Sequence, residues 1–299
     1  MNKGELIEKY EMVKLLDWGH VRLVDVMGDD AAIVQAARCS YGKGTRPTSE
    51  DRGLIRYLTR MRHTSPLEMC EIKLHCKMPI FVARQWIRHR TANVNEISGR
   101  YSEMREEFYV PAPAHMAKQS SSNKQGRGEI FPANEAAQLI LQMGDEANDT
   151  FTSYQQFLEA GMAKELARIN LPLSTYTEWY WKIDLHNLLH FLGLRLDPHA
   201  QYEIRVFAEA IWAIVQDWCP LAAEAFVDYQ LEAKTFSRQE MNMLHSMIAE
   251  WKEDMEALAQ SENIDVEQSV GERLRLSMDS FGIDNKRERL ELLVKLGLA

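Results

Sequence analysis

The sequence predicts an α+β fold, a small antiparallel sheet packed with a mainly helical remainder. Three observations carry this reading. The run "CEIKLHCKM" (70–78) alternates apolar and polar residues with the period of a half-buried strand. From about Asn134 the apolar residues step by three or four, the spacing of helices with one buried face. Helical segments outnumber strands, which speaks against a doubly wound parallel sheet.

Taken in order, "VRLVDVMG" (21–28) reads as a strand, and Asp29 or Asp30 caps a helix through "AAIVQAARCSYG". "TSEDRGLIRYLTRMR" (48–62) opens on Thr48 with Asp51 three residues on, capping-box spacing with a shorter acid than usual. The strand at 70–78 meets Pro79, and "IFVARQWIRHR" continues as a helix with Arg84 and Arg88 one turn apart. "REEFYVP" (105–111) is a further strand candidate, and "HMAKQSSSNKQGRGE" (115–129) is polar enough for a loop. Ile140, Met143, Ala147, Phe151, Tyr154 and Leu158 then mark a helical stripe. Further helices are predicted at 159–166, 180–196, 198–217 and 221–232. Residues 1–235 form the expected main domain. The stretch 236–299 holds 13 acidic and 8 basic residues and reads as an acidic helical extension.

The bulk numbers bound the function. Hydrophobic residues make up 45 % and charged residues 26 % of 299, ordinary for a globular chain with a real core. No window approaches 18 consecutive apolar residues, and the start mixes acids with lysines, so a cytoplasmic protein without membrane spans is expected. The net charge of −9 disfavours a nucleic-acid polymer as partner. Cys39, Cys70, Cys76 and Cys219 match no zinc or redox spacing; Cys70 and Cys76 fall on the apolar face of a strand, as core thiols. "GKG" (42–44) and "GRG" (126–128) lack the full nucleotide-cradling patterns.

Against this acidic background "RHRTANVNEISGRY" (88–101) crowds Arg88, His89, Arg90 and Arg100 together. Gln85 and the three basic residues end a predicted helix, "TANVNEIS" is loop-like, and Ser98, Gly99 and Arg100 follow. Guanidinium forks bind phosphate bidentately, Ser98 adds a hydroxyl, and Glu96 or Asn95 suits hydroxyls or ring N–H groups. The inventory fits phosphorylated ligands with rings; a surface helix end neutralised by local acids is the plain alternative.

Arg-His-Arg, seven residues, then Ser resembles the signature of the flavin-dependent thymidylate synthases. The resemblance extends in order through "RHTSPLEM" (62–69), "KMPIFVARQWIRHR" (77–90), "NEISGRYS" (95–102), "LARINLPLSTYTEWYW" (166–181) and "LLHFLGLRLDPHAQYEIR" (188–205), about residues 20 to 230. It implies transfer of a methylene group from 5,10-methylenetetrahydrofolate to C5 of dUMP, with FAD carrying the hydride and NADPH reducing the flavin. It also implies a homotetramer with active sites between subunits.

Carried over by position, His63, Ser65, Arg88, His89, Arg90 and Glu96 are expected to contact the flavin. Gln85, Arg88, Glu96, Ser98, Gly99, Arg100 and Arg168 are expected around dUMP. Asp184, His186 and His190 match a second flavin-binding segment, where the family pattern is Asn-x-Arg and this chain has Asp184 and His186. Arg195 matches the arginine placed against the uracil ring. A guanidinium that stays protonated is no ordinary general base, but it stabilises negative charge developing on the pyrimidine. Ser98 has no sequence-adjacent base to make it a nucleophile, so it is read as a ligand contact.

Two other readings stay in view. His186 and His190, at H-x-x-x-H spacing, with His199 form a conceivable zinc set. Arg88, Arg90, Arg100 and Tyr101 resemble an RNA-binding strip, against which the acidic balance counts. On a regular helix His190 and Arg195 lie about 140° apart and are expected to meet different surroundings; either Gly193 bends the chain, or the two serve opposite sides of a ligand-filled interface.

Overall fold

A computed structural model describes residues 1–39, 51–121, 126–262, 277–281, 283 and 286–296. The chain divides into two compact units, Met1–Glu232 and Ala233–Ala299.

The first unit is built on a five-stranded antiparallel sheet of order β1-β2-β3-β7-β4. Its strands are β1 (Val13–Leu15), β2 (Gly19–Met27), β3 (Glu71–Pro79), β4 (Asn93–Glu96) and β7 (Tyr176–Asp184). Between β4 and β7 lies a two-stranded hairpin, β5 (Ala117–Gln119) with β6 (Arg127–Ile130). The helices are α1 (Lys3–Lys9), α2 (Asp30–Cys39), α3 (Asp51–Arg60), α4 (Ser65–Glu68), α5 (Ile80–Trp86), α6 (Ala133–Glu159), α7 (Lys164–Ala167), α8 (Leu185–Arg195), α9 (Tyr202–Trp218) and α10 (Pro220–Phe226). The second unit contributes α11 (Arg238–Glu262) and α12 (Lys286–Lys295). Among the described residues no helix is long and apolar enough to cross a membrane.

Alternation decides which face of the sheet is buried. Val21 and Leu23 of β2, Ile72, Leu74 and Cys76 of β3, and Trp179, Trp181 and Ile183 of β7 point into one core. Register places Leu74 opposite Trp181 and Cys76 opposite Trp179, so large rings sit beside smaller side chains. On the other face His75 stacks on Tyr180 at 4.8 Å and meets His20 edge-on at 5.1 Å. Cys70, Cys76 and Cys219 are buried free thiols, and burial pushes Cys76 and Cys219 up, away from reactivity.

Helix ends are closed by side chains read partly from the sequence. Asp29 accepts the Ala32 N–H at 3.0 Å and so starts α2. Asp30 does something else: its carboxylate accepts the Leu221 and Ala222 N–H groups at 2.8 and 3.0 Å, capping α10 from across the fold. Burial raises the Asp30 pKa, and these two bonds oppose that rise.

Several sequence expectations are corrected. The helix predicted for 180–196 is two elements, with strand β7 through Asp184 and a helix only from Leu185. "TANVNEIS" is not all loop, because Asn93–Glu96 pairs with β7. The 105–111 candidate makes one isolated bridge, Phe108 to Thr175, and no strand. The polar stretch 115–129 carries the β5–β6 hairpin. The helix after Pro79 stops at Trp86, short of the Arg-His-Arg motif. The predicted 159–166 helix is interrupted: Gly161 has φ +81°, and a four-residue helix begins at Lys164. Along α6, Ala147, Phe151 and Tyr154 are buried in a second small core with Phe108 and Ala167, whereas Met143 is exposed. Thr48 and "GKG" (42–44) lie outside the described residues.

Candidate active site

The site begins with a tryptophan. Trp86, the last residue of α5, is completely buried. It stacks on Phe191 of α8 at 5.0 Å and meets Trp181, Trp179 and Phe207 edge-on at 5.2–5.8 Å. Such ring packing adds to area burial and pins the end of α5 against sheet and helices. The chain leaves the core immediately afterwards, so Arg88, His89 and Arg90 emerge from a fixed base. The His89 N–H donates to the Trp86 carbonyl at 3.0 Å.

Arg88 and Arg90 are exposed, and among the described residues neither has a side-chain hydrogen bond or ion pair. With no such partner among the described residues, two guanidiniums in one short stretch offer their donor forks to an anion.

Between these arginines His89 turns inward. Its ring lies edge-on to Phe191 at 5.0 Å and 6.0 Å from His190. Arg195, the last residue of α8, donates Nε–H to His89 Nε2 at 3.2 Å. Burial, the Arg195 charge and His190 together push the His89 pKa down to about 4. Burial also lowers the Arg195 pKa. The expectation that His190 and Arg195 face different surroundings is thus corrected. The long Arg195 side chain reaches back to the imidazole that His190 also borders.

The β4 side supplies the rest. Glu96 accepts the Thr177 hydroxyl at 2.6 Å across the strand pair. A tight turn follows: Ser98 Oγ accepts the Arg100 N–H at 3.3 Å, and the Ser98 carbonyl accepts those of Tyr101 and Ser102. Gly99 is buried, with Met104 and Arg168 lying against it. A Cβ there would stand 3.1 Å from Arg168 Cδ, 3.3 Å from its Nη1 and 2.9 Å from Met104 Sδ. Arg100 is half-exposed and pairs with Glu165 at 3.1 Å, a contact weak enough for a ligand anion to replace. Gln85 hydrogen-bonds Gln201.

The remaining predicted residues are placed as follows. His63 is exposed, edge-on to Tyr57 at 5.7 Å, and Ser65 opens α4. Asp184 is the N-cap of α8, accepting Asn187 N–H at 2.9 Å and its amide at 2.7 Å. That occupation explains an acid at this position by local helix chemistry. His186 is half-buried one turn before His190. Among the described residues no three His, Cys, Asp or Glu side chains gather to hold a metal.

Sequence reasoning missed a neighbouring network. Glu203, only 2 % exposed, receives Arg127 at 2.6 Å, Tyr109 at 2.9 Å and Gln201 at 2.9 Å. It lies beside a cavity of about 730 Å3 lined by Lys118, Arg127, His199, Tyr202 and Arg205 among others. Local spacing does not join Tyr109 and Arg127 to Glu203, since they lie 94 and 76 positions from it.

The class of protein follows from comparison with known chains. Curated relatives bear the name flavin-dependent thymidylate synthase, two of them as follows. One from Wolbachia pipientis wMel is 57 % identical over 239 residues, covering 80 % of this chain and 84 % of that one. One from Ruegeria pomeroyi is 55 % identical over 244 residues, covering 80 % and 81 %. Among solved structures, a UMP/dUMP methylase PolB from Streptomyces cacaoi bound with 5-Br dUMP superposes with a TM-score of 0.67 at 33 % identity, over 73 % of this chain and 99 % of that one. The family model of the thymidylate synthase complementing protein matches residues 22–221. The chain belongs to that family.

Proposed function

We propose that this chain makes dTMP from dUMP, with the methylene group drawn from 5,10-methylenetetrahydrofolate and NADPH as the reductant of FAD. The carrying observation is the pair of guanidiniums, Arg88 and Arg90, without a side-chain partner among the described residues, beside the half-buried Arg195–His89 contact. The 5-Br dUMP held by the Streptomyces cacaoi methylase supports a uridine monophosphate as the anion.

In this reading Gln85, Arg88, Glu96, Ser98, Gly99, Arg100, Arg168 and Arg195 surround dUMP. The arginines and Ser98 take its phosphate, and Arg195 faces the pyrimidine. His63, Ser65, Arg88, His89, Arg90, Glu96, Asp184, His186 and His190 border FAD. The residues fit that group: exposed guanidiniums suit its phosphates, and half-buried imidazoles suit a ring system. FAD, when bound, supplies the hydride. The protein's own share is position and field. Arg195, a fixed cation with no carboxylate partner among the described residues, lowers the cost of negative charge on the ring where water is excluded. The Ser98 hydroxyl has no hydrogen-bonded base among the described residues, which supports a binding rather than nucleophilic role.

A single chain leaves Arg88, Arg90 and Arg100 exposed. A second subunit laid over them would exclude water, and the homotetramer meets that need. Residues 1–235 carry the reaction in this reading, in the cytoplasm and without nucleic acid or membrane, and 236–299 is an acidic helical addition. The test is a visible spectrum of the purified protein followed by anaerobic NADPH. A flavin spectrum should bleach, then recover on adding dUMP and methylenetetrahydrofolate while dTMP accumulates. A colourless protein that takes up no FAD overturns the proposal.

A further inference from the structure

We propose that His89 is a positioning residue for Arg195, its Nε2 accepting Arg195 Nε–H so that the two Nη groups are aimed at the pyrimidine. The inference rests on the reading of Arg195 as the group that meets the ring.

Arg195 stands at the very end of α8, where backbone restraint ends and a long side chain has many rotamers. Ordering such a side chain costs rotamer freedom. A partner that holds it before substrate arrives removes that cost from the binding step. The Nε–H is one of five guanidinium donors, and its use leaves the forked end, with four N–H, to a ligand.

The partner is itself anchored. His89 follows Trp86 by three residues, is tied to its carbonyl at 3.0 Å, and lies against Phe191 at 5.0 Å. The chain of support therefore runs from the aromatic core through His89 to Arg195. The bond requires a lone pair on Nε2, hence a neutral ring carrying its proton on Nδ1. Burial and the adjacent guanidinium keep the ring in that form.

The neutrality of the acceptor has a chemical use. A carboxylate at this place would hold Arg195 more strongly and cancel its field. An imidazole fixes the guanidinium and leaves its full charge for the ring. Flavin contact alone gives no reason for Nε2 to face Arg195 at 3.2 Å.

The test uses the full-length FAD-loaded protein with His89→Ala, His89→Gln, Arg195→Ala and the double variant. Readouts are FAD stoichiometry, dUMP affinity by calorimetry, and turnover at saturating dUMP. Because His89 also borders FAD, each variant is measured at saturating FAD; so loaded, His89→Ala should bind dUMP about tenfold more weakly and turn over more slowly. His89→Gln, whose amide oxygen can accept from Arg195, should recover affinity to within about twofold. In the Arg195→Ala background, His89→Ala should change dUMP affinity by less than about twofold. Equal losses of dUMP affinity in both backgrounds, or His89→Gln no better than His89→Ala when both are FAD-loaded, overturn the positioning role. Parent-level affinity and turnover in Arg195→Ala would instead defeat the reading of Arg195 itself. Should His89→Ala fail to fold, His89→Met fills the space without a comparable acceptor, and the same comparison with His89→Gln decides.

Discussion

Substituting Gly99 by alanine tests the geometry of the proposed dUMP site at one carbon atom. The new Cβ would stand 2.9 Å from Met104 Sδ and 3.1 Å from Arg168 Cδ. Ordinary contact between such atoms is about 3.5–4.0 Å, so each neighbour must retreat by roughly 0.5–1 Å. Both are parts of flexible side chains, and Gly99 needs no left-handed backbone, so the fold should absorb the change at a cost of about 1 kcal/mol. Arg168 cannot retreat without moving its guanidinium from where Gly99 lets it lie. A displacement of this size in a positioning group is expensive for a ligand, and about tenfold weaker dUMP binding, or ~1.4 kcal/mol, is expected. Calorimetric titration of the FAD-loaded protein with dUMP measures this, and a thermal melt checks the fold. Parent-level dUMP affinity with an unchanged melt would refute the claim that Gly99 is small so that Arg168 can reach the ligand.

Trp86→Ala should cost about 3–5 kcal/mol in urea unfolding, because a wholly buried ring is removed from a cluster of four others, and should also release FAD as the 88–90 stretch loses its base. Ser98→Ala should weaken dUMP binding yet leave measurable turnover; loss of all turnover at saturating dUMP would make Ser98 more than a ligand contact. The pH dependence of stability follows from His20 and His89, both pushed down to about 4 chiefly by burial. Unfolded imidazoles titrate near 6.5, so between these values the unfolded chain holds more protons. Stability is therefore full above about pH 6.5 and falls as pH drops toward 4, by at most about 1 kcal/mol for each histidine at pH 5.5 once solvent screening of these half-exposed rings is discounted. His20→Gln, which lies outside the proposed site, should flatten that slope in urea midpoints taken from pH 7.5 to 5; an unaltered slope would count against a neutral His20.

How much was legible in the sequence depends on the range of the interaction. The alternation of β3 is a local periodicity legible in the sequence; of the six-residue stripe on α6 only Ala147, Phe151 and Tyr154 are buried, and of the two cap candidates Asp29 closes α2. The β7 strand was not legible in this way. Its alternation, with Trp179, Trp181 and Ile183 inward, runs without a break into the apolar residues of α8, and only pairing with β3 and β4 shows where strand becomes helix. The proposed site divides in the same way. Residues 85–100 stand together because they are consecutive, so their cationic character needs no fold to be seen.

By itself the sequence determined the family, the periodic elements and the run of cations, because each is written in residue order. Tertiary structure alone decided what those residues touch. Arg195 meets His89 across 106 positions, Asp30 caps a helix 191 positions away, and Arg168 rests on a glycine 69 positions before it (168 − 99). Such contacts follow from how strands and helices pack, and no local spacing encodes them.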